Sequence, residues 1–195
     1  MKSQILMLAV SLPALALAAC GEPETTTTTE DLAVTDMGVA NDGAMMDDGA
    51  MMGDAAAMNA DQFITNISAS DAYEIAAGQL AQEKATSQPL RDFGAKMVED
   101  HRASTNNLMQ AASEAGMTVG EPQMTAEQQA NLEALRSATG SEFDSAYESQ
   151  QVAAHEQALS MLRSYADGGD VPALRTFASN TAPVVEGHLN MIRDM

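Results

Sequence analysis

From Asp61 onward the apolar residues recur at helical spacing, and one short pattern within that stretch occurs twice. Leu90-Arg91-Asp92-Phe93 leads to Val98-Glu99-Asp100-His101. Leu174-Arg175-Thr176-Phe177 leads to Val185-Glu186-Gly187-His188, with three extra residues between Phe and His. Each copy follows a proline, Pro89 or Pro172. A proline in the first turn of a helix is harmless, because its missing N–H has no intrahelical partner there. The pattern therefore reads as one helical hairpin used twice, each second helix carrying one histidine.

Spacing on a wheel of 100° per residue gives the stripes. A first helix over about 61–86 aligns Phe63, Ile67, Ala77, Ala81 and Ala85, with Glu74 at the centre of that face. A second begins at Pro89 and aligns Leu90, Phe93, Met97, His101, Leu108 and Ala112, with Gly116 as its C-terminal cap. Thr125-Ala126-Glu127-Gln128 has the form of a capping box and opens a short helix through about Ala138. That connection is long enough to cross a bundle end to end. A third helix opens at Ser141 and closes at Gly168-Gly169. Its inner stripe mixes Phe143, Tyr147, Ala158, Leu162 and Tyr165 with Asp144, Gln151 and His155. Asp170 is the expected cap of a fourth, whose inner face takes Leu174, Phe177, Thr181, Val185, His188 and Ile192, with Pro183 kinking it mid-way. The expected fold is all-α: an antiparallel four-helix bundle over 61–195, with a short extra helix between helices 2 and 3.

Residues 1–60 read as address and tether. Lys2 and the apolar run Ile5–Ala18 have the form of a signal peptide over 1–19, too short for a stable span. Leu17-Ala18-Ala19-Cys20 resembles the bacterial lipobox. That resemblance implies acylation of Cys20 and a membrane anchor. Gly21 follows in place of the aspartate associated with inner-membrane retention, so the outer membrane, facing the periplasm, is the expected location. Residues 20–60 hold many acids, no Lys or Arg, no aromatic residue and no sustained apolar period, which is the composition of a disordered tether. Met45-Met46 and Met51-Met52 in near-repeats form either a soft copper-capture segment or a drifted low-complexity run. With 28 Asp plus Glu against 9 Lys plus Arg, the chain has no basic patch, so nucleic acid is excluded as a partner. No protein partner is legible.

All three histidines fall on predicted inner faces beside Glu74. Counted from the hairpin bends, Glu74 and His101 share a level, and His155 and His188 lie within about a turn of one another. One carboxylate and three imidazoles would suit a single Zn, Fe, Mn or Cu ion. Asp144, Tyr147 and Gln151 would orient those ligands or add one. The alternative is a buried Glu–His network without metal, in a non-catalytic envelope or stress-protection protein. No nucleophile motif, phosphate loop or Ser–His–acid arrangement argues for an enzyme.

The combination of Glu74, Asp100-His101, Phe143-Asp144 with Tyr147, His155, and a proline before His188 resembles the secreted bacterial family catalogued as domain of unknown function 4142. The resemblance implies a ferritin-like bundle and an envelope location, and supplies no reaction. Ferritin-like di-iron chemistry, the third reading, needs Glu-x-x-His on the second and fourth helices. Here Val98 and Val185 stand where those glutamates would be.

Overall fold

The computed structural model describes residues 58–195. Among the described residues the chain forms five helices and no strand: α1 (Ala60–Lys84), α2 (Gln88–Glu114), α3 (Ala126–Ser137), α4 (Ser141–Gly168) and α5 (Pro172–Arg193). The signal segment, Cys20 and the paired methionines lie outside the described residues.

Local chemistry sets most of the boundaries. Asn59 opens α1 with a capping box, accepting from the Gln62 N–H at 2.9 Å while Gln62 accepts from the Asn59 N–H. Ser87 caps α2 ahead of Pro89, and Thr125 with Gln128 forms the expected box on α3. At the end of α2, Gly116 takes φ 72° and lets the Met117 N–H return to the Ala112 carbonyl at 2.8 Å. The α5 start differs from expectation. Val171 holds the N-cap position without a side-chain bond, and the Asp170 carboxylate instead accepts from the Tyr165 hydroxyl at 2.8 Å. Pro172 already fixes the backbone for helix entry there, which frees Asp170 for the corner.

The sequence echo is a structural echo. The Arg91 guanidinium donates back to the Ala85 carbonyl, and the Arg175 guanidinium donates back to the Gly169 carbonyl, six residues upstream in both cases. Each hairpin bend is thus latched by the same arginine.

The connector containing α3 returns the chain from the end of α2 to the α1–α2 bend. There Lys84 donates to the Leu135 and Arg136 carbonyls, and Thr86 donates to the Asp144 carboxylate. The helices that pack together are α1 with α2, α4 with α5, α2 with α5, and α1 with α4, and every such pair runs antiparallel. This is a four-helix bundle with one long crossover, α3 lying over α1 and α4.

Two glycines set the α1–α2 crossing. A Cβ on Gly78 would stand 2.6 Å from the Gly94 carbonyl oxygen, and one on Gly94 would stand 2.7 Å from that of Gly78. The backbones touch, which locks the register that brings α1 and α2 side chains together lower in the bundle. Aromatic clusters fill both ends. Phe63 stacks on Tyr165 and meets Phe177 edge-on at one end, while Phe93, Phe143 and Tyr147 pack at the other. The three histidines lie between them.

Candidate metal centre

His101 from α2, His155 from α4 and His188 from α5 are all buried. Their ring centroids form a nearly equilateral triangle with sides of 5.9, 5.8 and 5.5 Å. One ring nitrogen of each lies within 4.8 Å of the other two. Periodicity explains the convergence, since each histidine sits on its helix's apolar stripe, His101 and His155 near mid-length and His188 five residues before the end of α5. Three different helices then deliver one imidazole each to the same layer.

Every ring is held from outside by an acceptor. Asp71 lies 2.8 Å from His101 Nδ1, Asp100 lies 2.7 Å from His188 Nε2, and the Gln151 backbone carbonyl lies 2.8 Å from His155 Nδ1. A carbonyl cannot donate, and ionised carboxylates cannot either, so each outward nitrogen carries the hydrogen. The inward nitrogens, His101 Nε2, His155 Nε2 and His188 Nδ1, are buried and have no hydrogen-bond partner. In the neutral rings all three are lone pairs facing one another. Three acceptors cannot satisfy each other, and an unpaired buried polar atom costs roughly 1–3 kcal/mol. The other two orphaned atoms among the described residues, the Tyr147 hydroxyl and Gln151 Oε1, lie two turns and one turn before His155 along α4.

A cation meets this need directly. Metal-ligating histidines donate their other N–H to a carboxylate or carbonyl, which is the arrangement around all three rings. Nitrogens at about 2.0–2.1 Å from one ion would stand roughly 3.3–3.6 Å apart, so the trio would draw in by no more than about 1.5 Å. The donor set therefore fits a single transition-metal ion with three protein ligands and one side left open.

Electrostatics favour two neutral imidazoles. Burial, together with the neighbouring His101, pushes His155 down to about 3. Burial also lowers His188, outweighing its bond to Asp100. His101 is the exception: burial opposes its charge, but the Asp71 bond and the nearby Glu74, Asp71 and Asp100 charges raise it. Asp100 is held below the usual carboxylate range, because bonds from Lys96 and His188 outweigh its partial burial.

Glu74, read from sequence as a ligand, is buried in the same layer but turned toward the outward side of His155, 3.9 Å from Nδ1. Its other oxygen accepts from the Gln151 amide at 2.6 Å. Burial raises it to about 7, against the pull of His101 and Gln151. Gln151 thus touches the layer twice, through its side-chain amide on Glu74 and its backbone carbonyl at His155 Nδ1. Tyr147 is buried on the same stripe, but its hydroxyl has no partner. Asp144 is not at the site: it shares the α4 face but lies three turns before His155, where it binds Thr86 at the bend. Asp71 and Asp100, which orient two of the three rings, were not singled out from sequence as part of the site. Asp71 carried a signal, lying one turn before Glu74 on nearly the same face. Val98 and Val185 are buried, and Glu99 and Glu186 are exposed, so the di-iron glutamates have no counterpart here.

On the side of the layer away from Glu74, a cavity of about 240 Å³ opens between α2 and α5. Asp71, Asp100, His101 and His188 line its floor, and Asn107 and Asn180 lie at its mouth.

Comparison with known proteins agrees with this architecture. The chain is similar to a DUF305 fragment from Deinococcus radiodurans, with a TM-score of 0.60 at 14% identity, over 68% of this chain and 91% of that one. It is equally similar to CopM in the Cu(II)-bound form, with a TM-score of 0.60 at 15% identity, over 70% of this chain and 95% of that one. At such identities the likeness establishes the helical fold alone. No curated protein matches the chain. The model of the domain of unknown function DUF4142 matches residues 46–195, the whole bundle included, and this chain belongs to that family.

Proposed function

We propose that this protein is a lipid-anchored envelope protein that binds one copper ion through His101 Nε2, His155 Nε2 and His188 Nδ1. The observation that carries the reading is three buried histidine nitrogens without a hydrogen-bond partner, on rings gathered into one layer and each oriented from behind by an acceptor. An all-imidazole set suits Zn, Cu, Fe and Ni, and among divalent ions Cu(II) binds such sites most strongly. The bundle's likeness to CopM, solved with Cu(II) bound, points the same way. Manganese, which prefers carboxylate and water, fits this donor set least. Storage, buffering or sensing of copper is the role such a site would serve.

The full chain, purified without chelators and offered Cu(II), is expected to retain one equivalent through gel filtration. His101→Ala, His155→Ala and His188→Ala should each lose it. Absence of stoichiometric copper in the native chain would overturn the reading. The membrane address rests on Leu17-Ala18-Ala19-Cys20. The mature protein should therefore begin at an acylated Cys20 by mass spectrometry, and Cys20→Ser should remain unprocessed and unlipidated.

A second reading has one observation in its favour. The raised titration of His101 would let a protonated ring donate toward His155 or His188, giving a metal-free polar network. No such bond forms among the three rings, whose inner nitrogens all lack partners. A chain that folds and melts identically with and without Cu(II), Zn(II) or Fe(II) would favour this network.

A further inference from the structure

Resting on the copper reading, we propose that the cavity between α2 and α5 is a guest site, which admits a small neutral nitrogen donor of about imidazole size as a fourth ligand. Three features carry this. The histidine layer has two sides, and they differ. On one side Glu74, Gln151, Phe93 and Tyr147 fill the bundle, with the Glu74 oxygens engaged by Gln151 and facing the outward nitrogen of His155. On the other side no protein donor approaches the inward nitrogens, and the cavity begins directly against His101 and His188. An ion held by the trio would therefore be reachable from the cavity alone.

Size and lining select the guest. A volume of about 240 Å³ exceeds the roughly 150 Å³ that accommodates a benzene ring in an apolar protein cavity. Its inner walls are Ile67, Ala158, Leu162 and Val185, which suit a flat ring. Asp71 and Asp100 border the floor, so an incoming anion meets two carboxylates in a chain of formal charge −19. Neutral donors escape that repulsion. The mouth lies at exposed positions, Asn107, Asn180 and Val184, so entry needs no unfolding. Between the lining residues Thr181 and Val184, Pro183 leaves α5 one internal hydrogen bond short.

The test uses the full chain loaded with one equivalent of Cu(II), titrated with imidazole and, separately, with azide, and followed by electron paramagnetic resonance and visible absorption. Imidazole should produce a saturable change with copper still bound, at least tenfold more readily than azide. Ala103→Trp and Thr181→Trp fill the cavity from α2 and α5 without touching a ligand, and are expected to keep copper but lose the imidazole response. Four outcomes would overturn the proposal while leaving the copper reading standing: no response to imidazole, removal of the copper by imidazole, azide binding as well as imidazole, or an undiminished response in tryptophan variants that retain copper. If neither variant keeps copper, the wild-type imidazole and azide titrations decide alone. Failure of the native chain to hold copper at all would overturn this proposal and the copper reading together, and is recognised before any guest is added.

Discussion

At the scale of single residues, function depends on acceptors standing behind ligands. Asp71 fixes the tautomer of His101, and Asp71→Asn should weaken copper about 10- to 100-fold without unfolding the chain, as measured by competition with a chelator of known affinity. Copper must displace the proton from His101, whose titration is raised. Affinity should therefore begin to fall at a higher pH than for an ordinary imidazole as the solution is acidified. In the metal-free protein the same group acts on stability. The His101–Asp71 contribution is complete below the unfolded imidazole value of 6.5 and is lost as pH rises through the raised folded value. Glu74 acts in the opposite charge sense: the fold prefers its protonated form, so stability is lost as pH rises from 4.5 through about 7. Glu74→Gln should stabilise the metal-free chain by about 1–3 kcal/mol at pH 8, with much less effect at pH 5, in urea titrations. It should also keep its copper, and loss of the ion would make Glu74 a ligand after all. The histidines, Glu74 and Gln151 were legible because helical spacing puts them on inner stripes. Asp144 shares that face, and only its level excludes it. Asp100 was hidden for another reason: it points about 100° away from His101, toward α5, and no single-helix pattern reveals a neighbour on another helix.

At the scale of helices, the site depends on register. The Gly78–Gly94 contact and the paired arginine latches hold the hairpins at the heights where the rings meet. Gly94→Ala would drive a methyl group into the Gly78 carbonyl and the Ala81 side chain, and should cost about 1–3 kcal/mol despite alanine's better helix propensity. Shifted register should also appear as weaker copper binding, which separates a positioning effect from simple loss of stability. Helix existence and most ends followed from capping residues and prolines. The glycine contact did not, because a glycine in a helix marks a close approach without naming what approaches. The α5 cap was misread since Asp170 is an excellent cap by type, and only the position of Tyr165 reveals its other use.

At the scale of the whole molecule, four antiparallel helices with one crossover make a closed frame whose middle layer is polar and whose ends are aromatic. None of the described helices is long and apolar enough to cross a membrane. A ligand that binds only the folded state at about 1,000 times its dissociation constant stabilises by about 4 kcal/mol. Copper should therefore raise the melting temperature by roughly 10 °C, at about 2–4 °C per kcal/mol for a domain near this size. The bundle and its crossover were legible from stripe and connector length, whereas the open side of the histidine layer emerges only from three-dimensional packing. The most direct measurement is pulsed electron paramagnetic resonance on the Cu(II)-loaded full chain, counting coordinated imidazoles through their remote nitrogens. Three imidazoles in the native chain, falling to two in any single His→Ala variant that still holds copper, is the expected result. A spectrum of adventitious copper with one imidazole or none, unchanged by those substitutions, would contradict it.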